Sequence, residues 1–134
     1  MALEVGVGSV YVLCVGVTLV SIGWLRGFLA ETSSIVDTAS LERFKRLART
    51  EMYLKAGVGV LLAVGFVGCL ALIPRGDPVG LVTLVLGNLA VYGVGLWHRH
   101  FEARARSLSA ASDALRDEYD RASMAWAKKL IPNF

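Results

Sequence analysis

Three uncharged apolar runs constrain this chain more than any other feature of its sequence. Val5 to Leu25 covers about 21 residues without a charge, Ala56 to Ile73 about 18 and Pro78 to Trp97 about 20. Crossing about 30 Å of hydrocarbon takes roughly 20 apolar residues. A segment in lipid must also satisfy its own backbone hydrogen bonds, which a helix does. The expected fold is an all-α integral membrane protein with three transmembrane helices, at about 5–27, 56–73 and 78–97. The length of 134 residues allows a single membrane domain. An apolar fraction of 55% and a mean hydropathy of +0.58 lie above the range of a soluble domain this small. The first run reads as a retained span. It follows Glu4, has no Lys or Arg before Arg26, and is longer than the apolar core of a secretory signal.

Charge sets the expected orientation. Fourteen Lys and Arg against eleven Asp and Glu give a net charge of +3. These basic residues flank spans, so they point to anionic lipid headgroups and topology, with no nucleic-acid partner expected. The segment from Arg26 to Lys55 and the tail from Arg99 to Lys129 are basic, whereas the N-terminus has no cation and the second turn has only Arg75. The positive-inside rule then predicts N-out, C-in. In a bacterium the location would be the cytoplasmic (inner) membrane.

Between spans one and two, Ser34-Ile-Val-Asp37 has the form of a helix N-terminal cap. Leu41, Phe44, Leu47, Ala48 and Met52 then recur at helical spacing. The prediction is a cytoplasmic amphipathic helix at about 34–55, with Arg43, Lys45, Arg46 and Arg49 placed to meet lipid headgroups. Ile73-Pro-Arg-Gly-Asp-Pro78 predicts a tight turn, making spans two and three an antiparallel hairpin. In the tail, Phe101, Ala105, Leu108, Ser112, Leu115, Tyr119, Ala122 and Trp126 alternate at spacings of four and three. With no Gly or Pro in the way, one long cytoplasmic helix is expected at about 99–131, ended by Pro132. Phe101, Leu108, Leu115, Tyr119 and Trp126 form its docking seam. The candidate partners for the seam are the 34–55 helix, a second copy or another protein.

Inside the bilayer, small residues mark candidate helix contacts: Gly16, Gly23 and Gly27 on span one, and Gly57, Gly65 and Gly68 on span two. Asn88 on span three, with Tyr92 one turn later, is expected to bond to another helix. Cys14 and Cys69 lack metal or redox spacing and read as small packing residues. His98 and Glu102 are four residues apart and could share a metal, but two ligands do not complete a zinc site. A haem would call for a His inside a span, and both histidines lie at a span's end. No cofactor, metal or catalytic residue is expected, and the chain does not read as an enzyme. The function expected from this surplus of contact surface is that of a non-catalytic accessory subunit or assembly factor in a larger inner-membrane complex. Its partners would be other membrane subunits or copies of itself. The alternative is a homo-oligomeric pore or membrane-disrupting protein of the holin or effector type.

Overall fold

The computed structural model describes residues 2–75 and 78–129. Three long helices form the membrane bundle: α1 (Ala2–Glu31), α2 (Thr38–Leu72) and α3 (Pro78–Ala105). All three are long and apolar enough to cross a membrane. At 1.5 Å per residue, the 35 residues of α2 extend about 52 Å, well beyond a hydrocarbon core of about 30 Å. The excess is its polar first half, which stands at one end of the bundle beside the shorter α4 (Asp113–Lys128). Short strands β1 (Ser34–Ile35) and β2 (Ser109–Ala110) pair in parallel at this end, Ser34 opposite Ser109 and Ile35 opposite Ala110. We refer to it as the basic end.

α1 packs against both other spans. Its buried residues, Val7, Tyr11, Cys14, Ser21, Ile22 and Leu25, run down one side at spacings of mostly three and four. Toward the opposite end of the bundle, Val7 and Tyr11 close a cluster with Cys69 and Leu72. Glycines make that contact possible. A Cβ on Gly68 would lie 2.6 Å from Val7 Cγ2, and one on Gly87 would lie 2.6 Å from Cγ of the Tyr11 ring. Neither position accepts a side chain without moving α1. Asn88 Nδ2 donates to Tyr11 Oη (3.1 Å) and to Leu84 O (2.7 Å), tying α3 to α1.

The segment 34–55, expected as an amphipathic helix, supplies the first half of α2, and the helix starts later than expected. Ser34 and Ile35 are extended and paired in β1. The cap is Asp37, whose carboxylate accepts from Ser40 N (2.7 Å) while Ser40 Oγ accepts from Asp37 N (3.1 Å). This reciprocal arrangement is a capping box with the roles shifted three residues along the chain.

A second correction concerns the tail. The single helix expected at 99–131 is broken: α3 ends at Ala105 and α4 begins at Asp113. No Gly or Pro causes the break. Ser107 Oγ donates back to Arg104 O (3.0 Å) and Ser112 caps α4, so serine side chains take backbone groups that a continuous helix would have used. Tyr119 Oη donates to Ala105 O (2.7 Å) and accepts from Leu108 N (3.0 Å), which satisfies the ends exposed by the break. Ala111 N donates to Ile35 O (2.9 Å). The gain is burial, because turning α4 back sets Tyr119, Ala122 and Trp126 into a core with Leu25, Ile35, Leu41, Phe44, Ala48 and Met52. Residues 130–134, including Ile131 and Pro132, lie outside the described residues, as do Gly76 and Asp77 of the second turn.

An ion pair between Lys45 and Glu118 joins α2 to α4 at the rim of this core. Its hydrogen bond holds the Glu118 carboxyl below the usual carboxylate range, and the Ser40 backbone amide does the same for Asp37. Both groups ionise more readily folded than unfolded. Their contribution is present above about pH 4 and is lost as pH falls through their folded values. Hydrogen exchange in detergent should therefore show α4 and the start of α2 loosening below about pH 4 while the spans stay protected. Glu118→Gln should flatten that acid response in α4 alone.

Candidate functional site at the basic end

Where the spans meet the basic end, each contributes one polar side chain to a buried cluster. Ser21 comes from α1, Glu51 from α2 and His98 from α3, and all three are buried. Ser21 Oγ lies 2.7 Å from Glu51 Oε1 and 2.6 Å from Oε2. His98 Nε2 lies 2.8 Å from Glu51 Oε2 and 2.7 Å from Ser21 Oγ. Donor counting assigns the parts. Glu51 as a carboxylate only accepts, so the Ser21 hydroxyl and the His98 Nε2–H both donate to it. Burying such a carboxylate is unfavourable unless donors surround it, and these two come from two other helices.

One turn beyond His98, Glu102 is buried as well. Lys55 Nζ donates to Glu102 Oε2 (2.6 Å), and Arg106 Nε stands 3.5 Å from Oε1. Lys55 Nζ also sits 5.7 Å from the centre of the Trp126 ring, which links the cluster to α4. His98 Nδ1 is 3.8 Å from Glu102, beyond hydrogen-bond distance.

The cluster contains Ser, His and Glu, and a second carboxylate, Glu102, stands 3.8 Å from the other imidazole nitrogen. In a trio that activates a nucleophile the imidazole takes the hydroxyl proton at one nitrogen and bonds the carboxylate at the other. Here one carboxylate meets the hydroxyl and the same imidazole nitrogen together. Among the described residues, no three His, Cys, Asp or Glu side chains are grouped so as to hold a metal ion.

Beside the cluster lies a cleft of about 330 Å³. Its polar end is formed by Ser21, Glu51, Lys55, His98, Arg99 and Glu102. Leu54 lies beside Lys55 at that end, Val58 follows one turn on, and beyond Gly59 and Gly95 the lining is apolar, with Leu62 and Val91; Val17 of α1 lies one turn from Ser21. No family model, curated protein or solved structure matches this chain. The site is therefore read from its own geometry.

The residues singled out from the sequence fall into four groups. Gly65 and Gly68 face α1, with Val10 Cγ1 3.2 Å from a Cβ on Gly65, and Asn88 bonds Tyr11. Gly16, Gly23, Gly27 and Gly57 have nothing within 4 Å of a built Cβ, and Tyr92 is exposed. The docking seam turns inward: Tyr119 and Trp126 are buried, Leu108 and Leu115 pack on the same core, and Phe101 lies under the Arg26 guanidinium at 5.9 Å. Of the four basic residues on α2, Lys45 is held by Glu118, Arg43 stands 3.7 Å from Glu31, and Arg46 and Arg49 are exposed.

Sequence reasoning passes over Glu51 and reads Ser21 only, with Ser9 and Thr18, as a thin candidate for a pore-lining stripe. A signal for Glu51 was present, because Phe44, Ala48, Glu51 and Lys55 follow one another at spacings of four, three and four. A carboxylate in register with an apolar seam has to meet a buried partner.

Proposed function

We propose that the chain is a non-catalytic subunit or assembly factor of a larger membrane-protein complex, joined to it through the outer face of α1. The distribution of Lys and Arg supports an orientation with the N-terminus outside and the basic end in the cytoplasm. One observation carries the reading. Ser9, Gly16, Gly23 and Gly27 lie on the side of α1 opposite its buried residues, and these glycines have nothing within 4 Å of a built Cβ. Gly65, Gly68, Gly80 and Gly87 are pressed against a neighbouring side chain, whereas Gly57, Gly59, Gly93 and Gly95 are open too, so the alignment of Ser9, Gly16, Gly23 and Gly27 on one face, and not openness alone, supports the reading. A small-residue row facing lipid alone gains nothing, whereas facing another helix it permits close backbone approach. Among the described residues of the tail, Tyr119 and Trp126 are buried within the chain and Phe101, Leu108 and Leu115 pack against the same core.

The pore alternative needs polar groups facing water. Ser9 and Thr18 donate to Val5 O and Cys14 O of their own helix, and Ser21 is engaged by Glu51. Each hydroxyl keeps acceptor lone pairs for water, but of the three only Ser9 is exposed, which makes α1 a thin candidate for a channel wall.

The test is to extract the tagged chain from its own source in mild detergent and identify its companions by mass spectrometry. Foreign chains should appear in fixed ratio. Gly23→Leu should remove them while leaving the chain's own helicity and melting unchanged, because a side chain there meets nothing within the fold. A ring of this chain alone, or companions retained by Gly23→Leu, sinks the reading.

A further inference from the structure

We propose that the cleft between α2 and α3 is a site for one anionic phospholipid, its phosphate between Lys55 and Arg99 and an acyl chain along the apolar wall. The inference is independent of the proposed complex. It rests on a pattern shared by the two walls. Along α2 the order is Leu62, Gly59, Lys55, and along the antiparallel α3 it is Val91, Gly95, Arg99. Each wall places an apolar residue at bilayer depth, a glycine one turn nearer the basic end, and a cation one turn further. A Cβ at either glycine would meet nothing within 4 Å, so the missing side chains are what leave the space open.

The two carboxylates in the cleft do not oppose a phosphate, because both are already engaged. Glu51 accepts from Ser21 and His98, and Glu102 is paired with Lys55 and Arg106. Arg99 is exposed and makes no ion pair among the described residues. Lys55 is partly exposed, so its ammonium can reach a second anion. The lining itself carries Lys55 and Arg99 against Glu51 and Glu102 and is formally neutral, with Arg106, outside the lining, paired to Glu102; Arg99 is the cation left for an added anion. The matching ligand carries an anionic head and a chain at least two turns long, about 10 Å along the helix axis.

The experiment is native mass spectrometry of the full delipidated chain in detergent. It is titrated with phosphatidylglycerol, with phosphatidylcholine of the same chains, and with inorganic phosphate as competitor. One phosphatidylglycerol should be retained on the order of tenfold more strongly than phosphatidylcholine. Arg99→Gln should remove most of that preference. Gly95→Leu should abolish retention of both lipids, with circular dichroism and melting showing an intact bundle. Equal retention of the two lipids, or wild-type retention by Gly95→Leu, overturns the proposal. Displacement of the lipid by millimolar phosphate overturns the assignment to a lipid in favour of a free anion.

Discussion

Glu51→Ala is expected to destabilise the basic end by about 3–5 kcal/mol, the usual consequence of removing one partner from a buried polar pair. The substitution removes the acceptor of the Ser21 hydroxyl and the His98 Nε2–H, and an unsatisfied buried donor costs about 1–3 kcal/mol. Both donors come from helices other than α2, so the loss falls on the junction of all three spans. Glu51→Gln keeps one acceptor oxygen and should cost roughly half as much. Replacing Ser21, Glu51 and His98 together by Ala, Leu and Leu should cost less than Glu51→Ala alone, since a polar network exchanged whole for apolar side chains is often neutral. Unfolding in a graded series of SDS and mild detergent, followed by circular dichroism, ranks the three variants. An Ala variant within about 1 kcal/mol of the parent would mean that water already reaches Glu51 and that the cluster holds nothing together.

The sequence separates cleanly into parts that were legible and parts that were not. The spans were legible because uncharged length is a one-dimensional property, and hydrocarbon thickness turns it directly into helices. Of the periodic residues Leu41, Phe44, Leu47, Ala48 and Met52, all but Leu47 are buried, and Leu47 is partly buried against the same core. The cap was misplaced by three residues because Ser34 and Asp37 are both good cap residues. What decides between them is the pairing of Ser34 with Ser109, 75 positions away. The break after Ala105 was hidden more deeply. The seam keeps its spacing of four and three straight through Leu108 and Ser112, and no Gly or Pro marks the turn. Only the reach of Tyr119 back to Ala105 and Leu108 shows that the chain gains more by folding back than by continuing. The candidate site was invisible as a constellation. Ser21, Glu51 and His98 are separated by 30 and 47 residues, and their meeting depends on helix packing that no local pattern encodes.

Phe44→Ala should release α4 from the bundle without dissolving the spans. Phe44 is fully buried and touches three other rings: Tyr119 at 4.6 Å between centroids, Trp126 at 5.6 Å and Phe28 at 6.2 Å. Truncating a buried Phe costs about 3–5 kcal/mol through lost transfer energy and the cavity left behind. Each aromatic pair adds about 0.5–1.5 kcal/mol, which places this site near the upper end. The loss is uneven. Two of the three ring partners are on α4, a 16-residue helix whose other main ties are Lys45–Glu118 and the Tyr119 hydrogen bonds. The contacts of α1 with α2 and α3 around Val7, Tyr11, Cys69 and Leu72 lie in a separate cluster and should survive. Trypsin should then cut the variant at Arg116 and Arg121 within minutes, under conditions where the parent resists. The three spans should persist as one protected fragment with nearly unchanged helicity. Simultaneous loss of the spans would show instead that the two clusters form one cooperative unit and that α4 is as essential to the bundle as any span.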